Sequence, residues 1–154
     1  MSGSIDVRSL RMFGGVLALI VALLHFLHPQ LGFQRLILHI ELGTLFDPRP
    51  LVFTLAAIAI AIGIIFVYND FLVRLIYVLG ILLMLIFIIG YGAWHTVLDH
   101  GGFWPHIPAH GHPDQGFIEI IGNHLQADRW ALTSKVAELA LLVVLVVLTA
   151  VDRE

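Results

Sequence analysis

The sequence predicts an all-α fold, a four-helix transmembrane bundle with an interfacial segment after the first helix and a long histidine-rich loop after the third. Three observations carry this. Hydrophobic residues make up 59% of the 154 positions and charged residues only 12%, about half the charged share of a soluble domain. Four apolar runs approach the roughly 20 residues that one membrane crossing requires, and they leave no room for a separate water-soluble domain. There is no cysteine, which removes disulfides, thiolate metal sites and dithiol redox chemistry, so a metal would have to be held by His, Asp or Glu. The net charge is −3 and the basic residues are scattered singly, which sets nucleic acid aside as a partner.

The first span is expected over residues 12–28 (MFGGVLALIVALLHFLH), closed by Pro29, which cannot continue a helix without losing a hydrogen bond. Arg8 and Arg11 before an apolar stretch also suit a cleaved signal peptide, but no small-x-small cleavage site follows and the run ends in histidines, which favours retention. Leu31 to Phe46 is apolar but interrupted by Gln34, Arg35, His39 and Glu41. It reads as an interfacial helix, with a partly buried loop or, from Leu38 to Leu42, a strand as alternatives. The second and third spans, 51–68 and 71–95, are separated only by Asn69 and Asp70, so they form an antiparallel hairpin. Between His95 and Asp128 lies the longest polar stretch, with six histidines, four acids and no Lys or Arg. The fourth span must run from about 130 to 151 to reach crossing length, which carries Lys135 and Glu138 into one leaflet. No internal repeat or low-complexity linker divides the chain, so residues 1–154 are expected to form a single integral membrane domain.

Positive charge near the span ends is evenly divided between the two sides. The long loop without any Lys or Arg would be unusual in the cytoplasm, so both termini are expected there, with the histidine-rich loops outside. Four spans then place all nine histidines on one side of the membrane. His25 and His28 fall near the stripe of Gly14, Ala18 and Ala22, the face expected to approach a neighbouring helix. Ala59 and Gly63 are expected to set a second close contact.

The candidate metal ligands fall into two groups. On the helices, His25 and His28 end the first span, His95 ends the third, Asp99 shares a helical face with His95 if that helix continues, and Glu138 stands in the fourth. An intramembrane acid must be paired or face a cavity. Glu138 is therefore either the partner of Lys135 or a carboxylate ligand beside the histidines. In the loop, FWPHIPAHGHPD places His106, His110 and His112 among three prolines that stiffen the backbone. Nitrogen and oxygen ligands without thiolate suit Cu(II), Zn(II) or Ni(II) and disfavour Cu(I). A single haem between outer-side histidines is geometrically allowed but less favoured than Cu or Zn. A two-haem wire and an ion channel lack the necessary residues in the inner half, and acyl-transfer chemistry lacks a serine with a base, Ser134 being the one candidate near the membrane.

VLALIVALLHFLH in the first span, the hairpin FVYNDFLVRLIYVLGI and SKVAELALLVVLVVL in the fourth resemble a family of small, uncharacterised four-helix membrane proteins of halophilic archaea. The resemblance covers about half the chain and implies a four-helix membrane protein with no established activity. This chain looks different in its long loop, where the family pattern has a short connection. Two function classes follow from the sequence. One is a membrane protein with a His/carboxylate divalent-metal site on its outer face. The other is an accessory or assembly subunit of a larger membrane complex or homo-oligomer, with no chemistry of its own. An enzyme would first require the metal site, with an open coordination position.

Overall fold

The computed structural model describes residues 6–44, 47–101 and 115–152. Among these residues it is all-helical: α1 Val7–Phe26, α2 Phe33–Glu41, α3 Arg49–Tyr68, α4 Val73–His95, one turn of 3-10 helix at Asp99–Gly101, α5 Phe117–Ala127 and α6 Arg129–Val151. Four of them, α1, α3, α4 and α6, are long and apolar enough to cross a membrane.

Helix α1 begins five residues before the expected start, because Asp6 caps it: the carboxylate accepts from Arg8 N and from the Ser9 hydroxyl. It ends at Phe26, so His28 lies in the turn beyond it. That turn needs Gly32, where a Cβ would stand 2.7 Å from the His28 carbonyl oxygen and 2.4 Å from that of Phe26. The segment after it is helical, and the strand alternative at Leu38 to Leu42 is not taken up. Helix α2 buries Leu36, packs on α3 and stacks Phe33 on Phe26 with ring centroids 5.0 Å apart. Pro50 in the first turn starts α3 with its preset φ. Asp128 caps α6 by accepting from Trp130 N and Ala131 N. The expected loop between His95 and Asp128 holds a helix of its own, α5, which packs on α4 and α6.

Each long helix packs on two others: α1 on α3 and α6, and α4 on α3 and α6. Neighbours run antiparallel. Arg11 near the start of α1 donates to Asp152 at the end of α6 at 2.6 and 2.8 Å, while the Trp130 indole at the start of α6 donates to the Leu24 carbonyl near the end of α1 at 2.9 Å. Small residues permit close approach. A Cβ at Gly14 would stand 3.1 Å from Val144, one at Gly63 3.2 Å from Ile76, and one at Gly80 2.8 Å from Leu145. On α3 the buried alanines are Ala56 and Ala57, whereas Ala59 is exposed, one helical step from the face that packs. Outward-facing Leu19, Ile58, Leu82, Ile89 and Val143 are all exposed, an apolar belt suited to lipid.

The two ends of the helix packing differ in chemistry. At one end Arg11 also binds Asp70 in the α3–α4 turn at 2.8 Å, and the Tyr77 hydroxyl donates to Asp152 at 2.8 Å, so one guanidinium fastens three segments. A pocket of about 1450 Å³ opens between the helices toward this end, lined by Gly14, Ala18, Ala59 and Gly63 among others. The six described histidines belong to the opposite end, where α1 and α4 finish and α3 and α6 start.

Candidate metal centre

Helix α4 stops at His95, so His95 and Asp99 do not share a helical face. The chain instead turns back sharply: Leu98 N donates to the Ala93 carbonyl at 2.8 Å, and Asp99 and His100 adopt left-handed φ values of 42° and 55°. Asp and His enter this region more readily than most residues, at a cost of about 1–3 kcal/mol each. The turn lays His100 against His95, with Nδ1 of His95 2.8 Å from Nε2 of His100. The third member comes from α5, where His124 Nε2 stands 3.1 Å from the same His100 Nε2. Ligand nitrogens of His95, His100 and His124 all lie within 4.8 Å of one another, and the three side chains are half-buried. These three could hold a metal ion.

Hydrogen counting shows why the arrangement suits a cation. The Ile120 carbonyl lies 2.8 Å from His124 Nδ1 and can only accept, so Nδ1 carries the hydrogen and neutral His124 presents a lone pair at Nε2. His100 Nε2 faces that lone pair and also His95 Nδ1. Among these three nitrogens, one hydrogen on His100 Nε2 can serve both contacts. A metal there would be held by one lone pair from each ring, with the His100 hydrogen moved to its Nδ1 on the Asp99 side. Tetrahedral Zn–N bonds of about 2.05 Å place ligand nitrogens about 3.3 Å apart, a few tenths beyond the 2.8 and 3.1 Å of the two contacts at His100. The backbone acceptor on His124 is the orienting contact typical of ligating imidazoles. Asp99 stands behind His100, its Oδ1 3.9 Å from His100 Nδ1, longer than a hydrogen bond but near enough for an electrostatic contact.

Of the sequence-derived ligands among the described residues, only His95 enters this cluster, with Asp99 beside it. His25 and Glu138 sit together inside the helix packing, His25 Nε2 3.4 Å from Glu138 Oε1. Glu138 is held by Lys135, whose ammonium reaches Oε1 at 2.8 Å and Oε2 at 2.6 Å, and by the Ser134 hydroxyl at 2.8 Å. His28 caps the turn after α1: its Nδ1 accepts from Gln30 N at 3.2 Å and Leu31 N at 3.1 Å. Its ring packs at the edge of Phe53 and Trp130. Burial pushes the His28 imidazole below its ordinary range, the charges of Arg49 and Lys135 add to this, and Asp128 opposes it. Nearby, burial raises the Asp47 carboxyl, but its hydrogen bonds and ion pair with Arg49 outweigh that and leave it below the usual carboxylate range. His106, His110 and His112 lie outside the described residues.

His100 and His124 were not among the candidate ligands. His100 follows His95 by five positions, a spacing that turns away from a shared helical face, and only the backbone reversal makes it useful. The signal in the sequence is the Gly101–Gly102 pair just after, which marks a helix stop. For His124 the signal is the periodic Phe117, Ile120, Ile121, His124 of an amphipathic helix inside a polar stretch. No family model, curated protein or solved structure matches the chain, so the reading of this centre stands on its geometry.

Proposed function

We propose that the protein is an integral membrane protein, a single domain, that binds one divalent cation per chain through His95, His100 and His124. Zn(II) and Cu(II) suit three imidazoles without thiolate. The observation that supports this is the shared-hydrogen geometry at His100 Nε2, 2.8 and 3.1 Å from its two neighbours. In this reading the termini are cytoplasmic, the histidine-bearing end faces outward, and α2 and α5 lie at the membrane surface. Three imidazoles leave a fourth position on zinc open, where water would bind.

Metal analysis of protein purified in detergent without chelator tests the proposal. About one Zn or Cu per chain is expected, bound less tightly in acid because a ligating imidazole must be unprotonated. Replacing His95 and His124 together by Ala should remove the ion while the helical circular dichroism is kept. Metal far below one per chain, with no uptake on adding Zn(II) or Cu(II), overturns it in favour of an accessory subunit without chemistry of its own.

A further inference from the structure

His25 presents a second and independent problem of hydrogen count. Its Nδ1 lies 2.9 Å from the Val21 carbonyl, which can only accept, so Nδ1 carries the hydrogen and the neutral ring has a bare lone pair at Nε2. That Nε2 makes no hydrogen bond and is sealed from solvent, in a residue only 1% exposed. Across from it, at 3.4 Å, is Oε1 of Glu138, which is 0% exposed and already accepts from Ser134 and Lys135. Two acceptors thus face each other in the interior, at a separation longer than the roughly 2.7–2.9 Å of a charge-assisted hydrogen bond. An unpaired buried acceptor is costly, and one hydrogen between the two atoms removes the cost.

We infer that the gap between His25 Nε2 and Glu138 Oε1 is a binding site for one proton, whose arrival closes a hydrogen bond between α1 and α6. The surroundings fit such a ligand. On α6, Lys135 and Glu138 are the charged groups and Ser134 the polar one; the ammonium and carboxylate balance each other, so uptake leaves a single net positive charge. Helix α4 contributes the Phe87 ring, stacked on His25 at 4.1 Å, the Phe87 carbonyl, which accepts from Lys135 at 3.2 Å, and the Tyr91 ring, 5.2 Å from the ammonium. Helix α3 contributes the Phe53 ring at 4.9 Å, and Thr54, whose hydroxyl is committed to the Pro50 carbonyl. On α1 the nearest titratable neighbour is His28, one turn on. Aromatic faces on two sides favour a cationic ring through their quadrupoles. Lys135, with its side chain 14% exposed, is the most accessible of the ionisable members. It can pass a proton to Oε1, from which the proton moves to Nε2, and regain one from hydronium, leaving water. Below this cluster the inward positions of α6, Leu141, Val144, Leu145 and Leu148, are apolar, so the proton enters and leaves by the histidine-bearing end.

The test is an NMR titration of protein carrying ¹⁵N-histidine, in detergent with chelator so that the tri-histidine cluster holds no metal, from about pH 9 to about pH 5, either side of the ordinary imidazole value. His25→Gln assigns the His25 signals by difference. The expected result is an Nδ1 that stays protonated throughout and an Nε2 that changes from lone-pair to N–H character on acidification, or a matching gain of a protonated Glu138 carboxyl band in the infrared. In Glu138→Gln the amide NH₂ donates to Nε2 permanently, so the change should vanish. Wild-type signals that keep lone-pair character and an ionised carboxylate across the range overturn the inference, and that outcome needs no variant to fold. An identical titration in wild type and Glu138→Gln overturns it as well, because Glu138 is then not the partner. Neither outcome touches the metal reading, which is decided by metal content.

Discussion

His25 and the His95, His100, His124 cluster stand at the same end of the packed helices, and in both a ring nitrogen comes close to another acceptor atom. The cluster is half-buried and built from a helix end, a left-handed turn and a short helix. His25 is enclosed by four long helices and faces a carboxylate already held by an ammonium. Accessibility decides what each can take. Three clustered imidazoles near the surface suit a metal, which excludes protons, whereas one sealed lone pair opposite a carboxylate already held by an ammonium suits a proton. The two groups are therefore expected to respond to pH in opposite senses, metal binding failing in acid and the α1–α6 hydrogen bond forming there.

The largest effect is expected where the comparison is sharpest. Glu138→Ala leaves the Lys135 ammonium unpaired inside the helix packing, and loss of one partner of a buried pair costs about 3–5 kcal/mol. Thermal unfolding in detergent should show it as a large drop in Tm. Replacing both residues together, Lys135→Met with Glu138→Gln, removes the charge along with its partner and should cost far less. If the single and double variants are equally destabilised, the pair is not what fastens α6.

On the other side, His124→Ala removes one ligand from a helix position without disturbing the turn at His100, and Zn(II) affinity should fall by about 100-fold or more. Asp99→Asn leaves the three ligands and changes only the group behind His100, for which about 10-fold is expected, at the low end of the range for such supporting contacts. Calorimetric titration with Zn(II) checks both. Equal losses would mean that Asp99 is itself a ligand, as its spacing from His95 suggested.

The long helices were legible because hydropathy reports burial in lipid directly: three of the four expected spans begin and end within two residues of α3, α4 and α6. At α1 the reading started late, since a first turn carrying Arg8 and Arg11 has no apolar signature and is specified by the Asp6 cap. Helix α5 was hidden by its setting, an 11-residue amphipathic segment inside a polar stretch. The site was less legible for the same kind of reason. Spacing arguments assume a continuing helix, and the centre exists because α4 stops. Glu138 could be recognised as needing a partner from its depth alone, and Lys135 occupies that place. The Arg11–Asp152–Asp70 network joins residues up to 141 positions apart, which no local pattern can announce.

A smaller effect tests the contact that holds the two histidine regions in register. Trp130 at the start of α6 donates its indole N–H to the carbonyl of Leu24, the residue before His25, at 2.9 Å, and its ring lies against that of His28. Trp130→Phe keeps an aromatic ring and removes the donor, so about 1 kcal/mol of stability should be lost. The titration of His25 should be unaltered. A change in that titration would show that the α1–α6 contact is adjustable rather than fixed by packing.

The smallest effect concerns His28, which belongs to neither group although its sequence position suggested that it joins His25. Its Nδ1 accepts two backbone N–H groups in the turn between α1 and α2, which only an unprotonated Nδ1 can do. Burial, reinforced by Arg49 and Lys135, lowers its proton affinity in the folded state. A folded value below the unfolded one means that the contribution is present above the ordinary imidazole range and is lost as the pH falls through the folded value. Partial exposure and screening keep it small. Amide hydrogen exchange at Gln30 and Leu31 is the direct measurement: below about pH 6, an ordinary imidazole's range, their protection should weaken relative to α1, while His28→Asn, which offers a side-chain oxygen that does not titrate in this range, should remove the pH dependence. If protection at both amides is unchanged in acid, His28 is not the cap, and its nitrogens become free to join one of the two histidine groups.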